Sequence, residues 1–121
     1  MQKQVIYGSC PSKSNGYKII KINNAYTLGK SEALKKYEKD FFIQCNLYRD
    51  SNIDTFFEFY MDVYYPNNRA DLDNSAKVVL DCLQKNKAIK NDNLCVKMLL
   101  RKFKDEKNPR VEFIIKKVDG F

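Results

Sequence analysis

Residues 55–65, Thr-Phe-Phe-Glu-Phe-Tyr-Met-Asp-Val-Tyr-Tyr, constrain the fold of this chain more than any other stretch. Phe57, Phe59, Met61, Val63 and Tyr65 alternate with Glu58, Tyr60, Asp62 and Tyr64. Successive side chains of an extended strand point to opposite faces, so this pattern predicts a strand with one face in a core and the other open. Pro66 stops it, and Asn67, Asn68, Arg69 and Ala70 lead into a helical pattern. That helix runs from about Asp71 or Leu72 to Gln84, with Leu72, Ala76, Val79, Leu80 and Leu83 as its apolar stripe. Strand followed directly by amphipathic helix calls for a layered sheet-and-helix domain.

The remaining elements fit the same scheme. Val5-Ile6-Tyr7 is a short strand, Gly8 to Gly16 a turn-rich loop, and Tyr17 to Ile22 a second extended stretch. Ser31 is placed to cap a helix reaching about Asn46, with Leu34, Tyr37, Phe41 and Cys45 on one side. Lys85 to Asn93 reads as a polar loop, Leu94 to Phe103 as a strand, Asp105 to Pro109 as a hairpin turn, and Arg110 to Val118 as the last strand. The expected order is β-β-α-β-α-β-β. The fold class is α+β: a single domain over residues 1–121, with a mixed or antiparallel sheet and two helices.

Composition narrows the function. Twenty-two Lys+Arg against fifteen Asp+Glu give a net charge of +7, divided as +3 over residues 1–60 and +4 over 61–121. A folded basic surface attracts nucleic acid through phosphate neutralisation; many modestly basic proteins bind none. The chain has no histidine, which excludes Ser-His-Asp and Cys-His catalysis and any histidine base. Cys10, Cys45, Cys82 and Cys95 form no C-x-x-C pair, so a zinc centre is not expected. Cys45 and Cys82 read as buried free thiols of a reducing compartment. A mean hydropathy of −0.57 and the lack of a long apolar run predict no membrane span, and no secretory leader is expected behind Met1-Gln2-Lys3-Gln4.

On this basic background the acids Asp71, Asp73 and Asp81 are grouped along one helix, with Asn91-Asp92 beyond it. Oxygen ligands of this kind suit Mg²⁺ or Mn²⁺. Bound metal can polarise a phosphodiester and activate water. Asp92 approaches Asp71 and Asp73 if the strand after it returns beside the Thr55–Tyr65 strand, and Lys77 then lies where it can orient a carboxylate or offset phosphate charge. The competing local reading is a helix N-cap, acids suited to the helix dipole, and an Asp73–Lys77 pair worth about 0.2–0.5 kcal/mol. Asp81, two turns from Asp73, reads as a structural residue or one that supports the site from behind, in preference to a metal ligand. Lys13, Arg69, Lys85, Lys87 and Lys90 lie in loops near the cluster and are candidates for phosphate contacts, against the alternative of a solvated surface. Tyr60, Tyr64 and Tyr65 read as core or interface residues in preference to base-stacking platforms.

The segment Arg69-Ala70-Asp71-Leu72-Asp73-Asn74-Ser75-Ala76-Lys77-Val78-Val79-Leu80-Asp81-Cys82-Leu83, followed by Asn91-Asp92, resembles the signature of the RusA family of phage- and prophage-borne Holliday-junction resolvases. That signature reads D-x-D-N, a lysine three residues on, D-x-L, and an acidic pair opening the next strand. Pro11-Ser12-Lys13-Ser14-Asn15 loosely resembles the family's early P-S-K-N loop, with one extra residue. The resemblance implies a cytoplasmic, bacterial or phage-encoded homodimer that binds four-way DNA junctions and makes paired nicks with Mg²⁺ or Mn²⁺. It places the essential carboxylates at Asp71, Asp73 and Asp92, the site lysine at Lys77, and an orienting or capping role at Asn74. Asn91 stands where the family usually has an aspartate, and Asn93-Leu94 where a glutamine is often found. The alternative is a non-catalytic junction-binding protein of the same fold, to which Asn91 points; a third reading is a structural or protein-interaction domain.

Overall fold

The computed structural model describes residues 2–11 and 17–120. Its elements are β1 (Gln4–Tyr7), β2 (Tyr17–Ile22), β3 (Ala25–Lys30), α1 (Glu32–Gln44), β4 (Phe57–Tyr65), α2 (Leu72–Lys85), a 3₁₀ turn (Asp92–Leu94), β5 (Cys95–Lys104) and β6 (Arg110–Lys117). The α+β class holds, with the sheet of the mixed kind. Four strands are ordered β1-β6-β4-β5, with β5 parallel and β6 antiparallel to β4, while β2 and β3 form a separate antiparallel pair.

β4 is the hub. Phe57, Phe59, Met61, Val63 and Tyr65 are buried, alternating strictly with half-buried Glu58, Tyr60, Asp62 and Tyr64. The buried side joins Ile6 of β1 and Val111, Phe113 and Ile115 of β6, and the two helices supply most of the rest of that core, with Cys10, Cys45, Ile53, Ala88 and Ile89 added from the connecting loops. Phe113 links the layers: its ring stacks on Phe41 of α1 at 5.9 Å and meets Phe59 at 6.0 Å. α1 begins where Ser31 Oγ accepts the Leu34 N–H at 3.2 Å, and it buries Leu34, Tyr37 and Phe41. α2 buries a wider stripe than expected: Ser75 and Val78 join Ala76, Val79, Leu80 and Leu83. The opposite face of the sheet mixes aromatic, aliphatic and charged side chains: Tyr64 stacks on Phe103 at 5.0 Å, Leu99 is exposed beside Tyr60, and Arg101 makes a two-bond fork to Asp62 at 2.8 Å.

Two expectations are corrected. The segment after Ile22 is a further strand: Asn23 and Asn24 adopt φ 50° and 64°, the paired left-handed conformation of a two-residue hairpin turn, and Ala25–Lys30 runs back along β2. Asp105–Pro109 is not a hairpin turn, because β5 and β6 lie on opposite sides of β4. It crosses the end of β4, where Asp105 N–H donates to Tyr65 O at 2.8 Å, and Asp105 Oδ1 accepts from Lys107 and Asn108 N–H.

Candidate functional site

The β4–α2 connection delivers the acidic motif to the molecular surface. Asp71 stands at the N-cap of α2 with extended backbone, yet its side chain makes no capping hydrogen bond. An N-cap aspartate ordinarily accepts from the N–H of the second or third helical residue. Here the carboxylate does not cap the helix, and Asp71 borders an open cleft of about 900 Å³ that Arg69, Asn74, Tyr7, Cys10 and Lys36 also line.

The backbone at Asp71 is held by two side chains, one of them backed by a third. Ser75 Oγ donates to Asp71 O at 3.4 Å, Tyr65 hydroxyl hydrogen-bonds Ser75 Oγ, and Lys102 Nζ from β5 donates to Ala70 O at 2.8 Å. Tyr65 and Ser75 are buried beside the Cys10 thiol and Tyr37 hydroxyl. Burial pushes the Cys10 and Tyr65 groups up to about 12 and raises Tyr37 as well, so all three stay protonated at neutral pH; Tyr65 hydrogen-bonds Ser75, while the buried Tyr37 hydroxyl has no hydrogen-bond partner among the described residues. Sequence reasoning missed this layer; the one signal was a Ser at a core-facing helix position four residues past Asp71.

Asp73, in the first turn of α2, is exposed and accepts the Asn74 N–H at 3.0 Å. Asp92 opens the 3₁₀ turn before β5, and its N–H donates to Gln84 Oε1 at 3.1 Å. β5 does return beside β4. Asp92 is engaged by Lys77, whose Nζ lies 3.5 Å from Asp92 Oδ2 and 3.9 Å from Asp81 Oδ1. Lys77 therefore pairs with Asp92 and Asp81, not with Asp73 as the i,i+4 reading had it. Among the described residues no three His, Cys, Asp or Glu side chains are grouped closely enough to hold a metal ion. Asn91 caps the 3₁₀ turn, its side-chain oxygen accepting the Asn93 N–H at 2.9 Å.

The loop cations divide. Lys85 is held by Glu38 of α1, which also takes Lys30 at 2.9 Å. Burial alone would raise the Glu38 carboxyl, but hydrogen bonds from Lys85 and Lys30 outweigh it and hold it below the usual range. Lys87 and Lys90 are exposed on a loop anchored by Asn52 N–H to Lys87 O at 2.8 Å and Lys90 N–H to Ile53 O at 2.9 Å. Lys13 lies outside the described residues.

The site thus comprises acidic side chains at the start of a helix, beside a cleft, on an α+β domain of net charge +7. The family model described as endodeoxyribonuclease RusA matches residues 11–116, and the chain belongs to that family of junction-resolving endonucleases. No curated protein matches the chain. Among the described residues no helix is long and apolar enough to cross a membrane.

Proposed function

We propose that this endodeoxyribonuclease is a metal-dependent resolvase that cuts four-way DNA junctions by paired nicks, working as a homodimer in the cytoplasm of a bacterial or phage-infected cell. The observation that carries the reading is the uncapped Asp71 carboxylate, set at the cleft on a backbone held by Ser75, Tyr65 and Lys102. A cap residue retained for helix stability would be expected to use its side chain for that purpose.

The donor chemistry fits Mg²⁺ or Mn²⁺, which take hard oxygen ligands and, in the case of Mg²⁺, only one or two carboxylates beside water and substrate phosphate. Asp71 and Asp73 would hold the ion, with Asp92 the further carboxylate of the set. When bound, the ion polarises the scissile phosphate and lowers the pKa of a water. Lys77 fixes Asp92 through their 3.5 Å pair and sets a positive charge beside the acidic turn, suited to the extra charge on phosphate during displacement. Asn74, at the cleft next to Asp73, orients the first turn of α2. Arg69, Lys87 and Lys90 contact phosphates without reading sequence, with Lys13 a further candidate. Lys85 enters that role only by leaving Glu38.

The test is nicking of a synthetic four-way junction in Mg²⁺ by wild type and Asp73→Asn. Paired nicks from wild type, lost in the variant, are expected; full activity in Asp73→Asn sinks the assignment. The second reading, a non-catalytic junction binder, is favoured by the engagement of Asp92 with Lys77 and the dispersed carboxylates. Junction binding in EDTA with no nicking in Mg²⁺ or Mn²⁺ would establish it.

A further inference from the structure

Among the described residues, no side chain of the β2–β3 hairpin belongs to the buried core. The two strands form a sheet of their own, apart from the four-stranded one, and every side chain from Lys21 to Tyr26 is exposed. Ile19 is 73% exposed, Ile22 52% and Tyr26 74%. A lone two-stranded hairpin is marginally stable in water, so apolar side chains displayed on one call for a partner. Its sequence states the partner's charge. The first 31 residues hold five lysines (Lys3, Lys13, Lys18, Lys21 and Lys30) and no acidic residue, and so carry five of the seven net positive charges.

The base of the hairpin packs beside α1 and the far end of α2. Lys30 pairs with Glu38 at 2.9 Å and lines a groove with Asp81, Gln84 and Lys85. Asp81 pairs with Lys77, and Lys77 with Asp92. Lys21 on β2 sits opposite Tyr26 on β3, its Nζ 5.9 Å from the ring centroid. That combination offers a cation for phosphate beside a flat ring and aliphatic surface.

We propose that the β2–β3 hairpin is a DNA-binding arm that lies against one duplex arm of the substrate, with Lys21 and the second lysine of β2, Lys18, contributing phosphate neutralisation and Tyr26 lying against the groove. A two-stranded ribbon is of a size the major groove admits. A second copy of the chain is the poorer occupant, because self-pairing would set lysine against lysine and edge lysines oppose strand addition. The proposal rests on the nuclease reading for its substrate, yet the two fail separately.

The experiment measures binding of labelled duplex and four-way junction in EDTA across a salt series. The proteins are wild type, Lys18→Gln/Lys21→Gln, Tyr26→Ser, and Lys116→Gln/Lys117→Gln, the last removing equal charge from exposed positions at the end of β6. Each phosphate contact contributes about 0.9 to the slope of log K against log salt. The hairpin double variant is expected to lower the slope by about 1.8, so that wild type loses about 12-fold more affinity than the variant over a fourfold rise in salt. Tyr26→Ser is expected to weaken binding with the slope kept, and the β6 variant to match wild type. Unchanged affinity and slope in the hairpin variants overturn the proposal, as does an equal effect from the β6 pair or a change in oligomeric state with DNA affinity intact. Absence of all DNA binding by wild type overturns it too, whereas binding without nicking leaves the arm standing and removes the nuclease.

Discussion

The Tyr65–Ser75–Asp71 relay makes a quantitative prediction about stability and activity together. Tyr65 is 3% exposed and Ser75 0%, so neither hydroxyl has water as an alternative partner. Ser75 donates to Asp71 O, which leaves Tyr65 as donor to Ser75. Tyr65→Phe deletes one hydrogen bond and leaves Ser75 able to hold Asp71, a loss of about 1 kcal/mol. Ser75→Ala is worse. It leaves a buried phenol with only the Cys10 sulfur, a weak partner, at a cost of about 1–3 kcal/mol, reduced by the helix preference for alanine. The double variant removes the orphan, so it should be no less stable than Ser75→Ala alone, and the two single costs should exceed the double by about 1 kcal/mol. Urea denaturation of the four proteins reads the cycle directly. Costs that add within about 0.3–0.5 kcal/mol would refute the relay, since uncoupled sites behave that way. Nicking supplies the functional half. Ser75→Ala and the double variant free the Asp71 carbonyl and should lose turnover, whereas Tyr65→Phe should lose little despite its stability cost.

Glu38→Gln should lower stability by about 0.5–1 kcal/mol, because its two lysines are partly solvated. It should at the same time tighten DNA binding in EDTA by releasing Lys30 and Lys85; weaker binding would show that Glu38 positions the arm instead. Stability should also fall at alkaline pH. Burial pushes the Cys10 thiol from its ordinary 9.0 up to about 12, so the folded state keeps a proton that the unfolded state sheds. That contribution is complete below pH 9 and declines as pH rises toward 12. Cys10→Ala should flatten this alkaline limb in urea titrations, and an unchanged limb would place the effect elsewhere.

The parts of the fold written in local periodicity were legible. The alternation of β4 and the stripe of α2 needed no partner to be recognised, and the acidic motif was legible because its members lie within one helix and the loop after it. What escaped was decided at long range or by turn chemistry. β3 has only small residues at Ala25, Thr27 and Gly29 and so lacks a strong strand signal, and its presence depends on the left-handed Asn23-Asn24 pair. The parallel partnership of β4 and β5 is a choice among sheet edges that no local window contains. Lys85 was a free cation in the sequence because Glu38 is 47 residues away. Likewise, Cys10, Tyr65 and Ser75 come from three separate elements, and only packing brings them together.

The two cap positions of the motif exchange the roles that local rules assign them. Asp71 occupies an N-cap and would ordinarily spend its side chain there; instead the helix start is tied through its carbonyl, and the carboxylate is left at the cleft. Asn91 occupies the position where the family usually has an aspartate, and it caps: its side-chain oxygen takes the Asn93 N–H and starts the turn that presents Asp92. An aspartate there accepts the same hydrogen bond, so the exchange preserves the turn and subtracts one negative charge beside Asp92. That lost charge lies next to Asp92, which Lys77 pairs at 3.5 Å, and the carboxylates of Asp71 and Asp73 at the start of α2 are unchanged. The departure at position 91 therefore falls on the capping function, and the proposed metal-holding function stays with Asp71, Asp73 and Asp92.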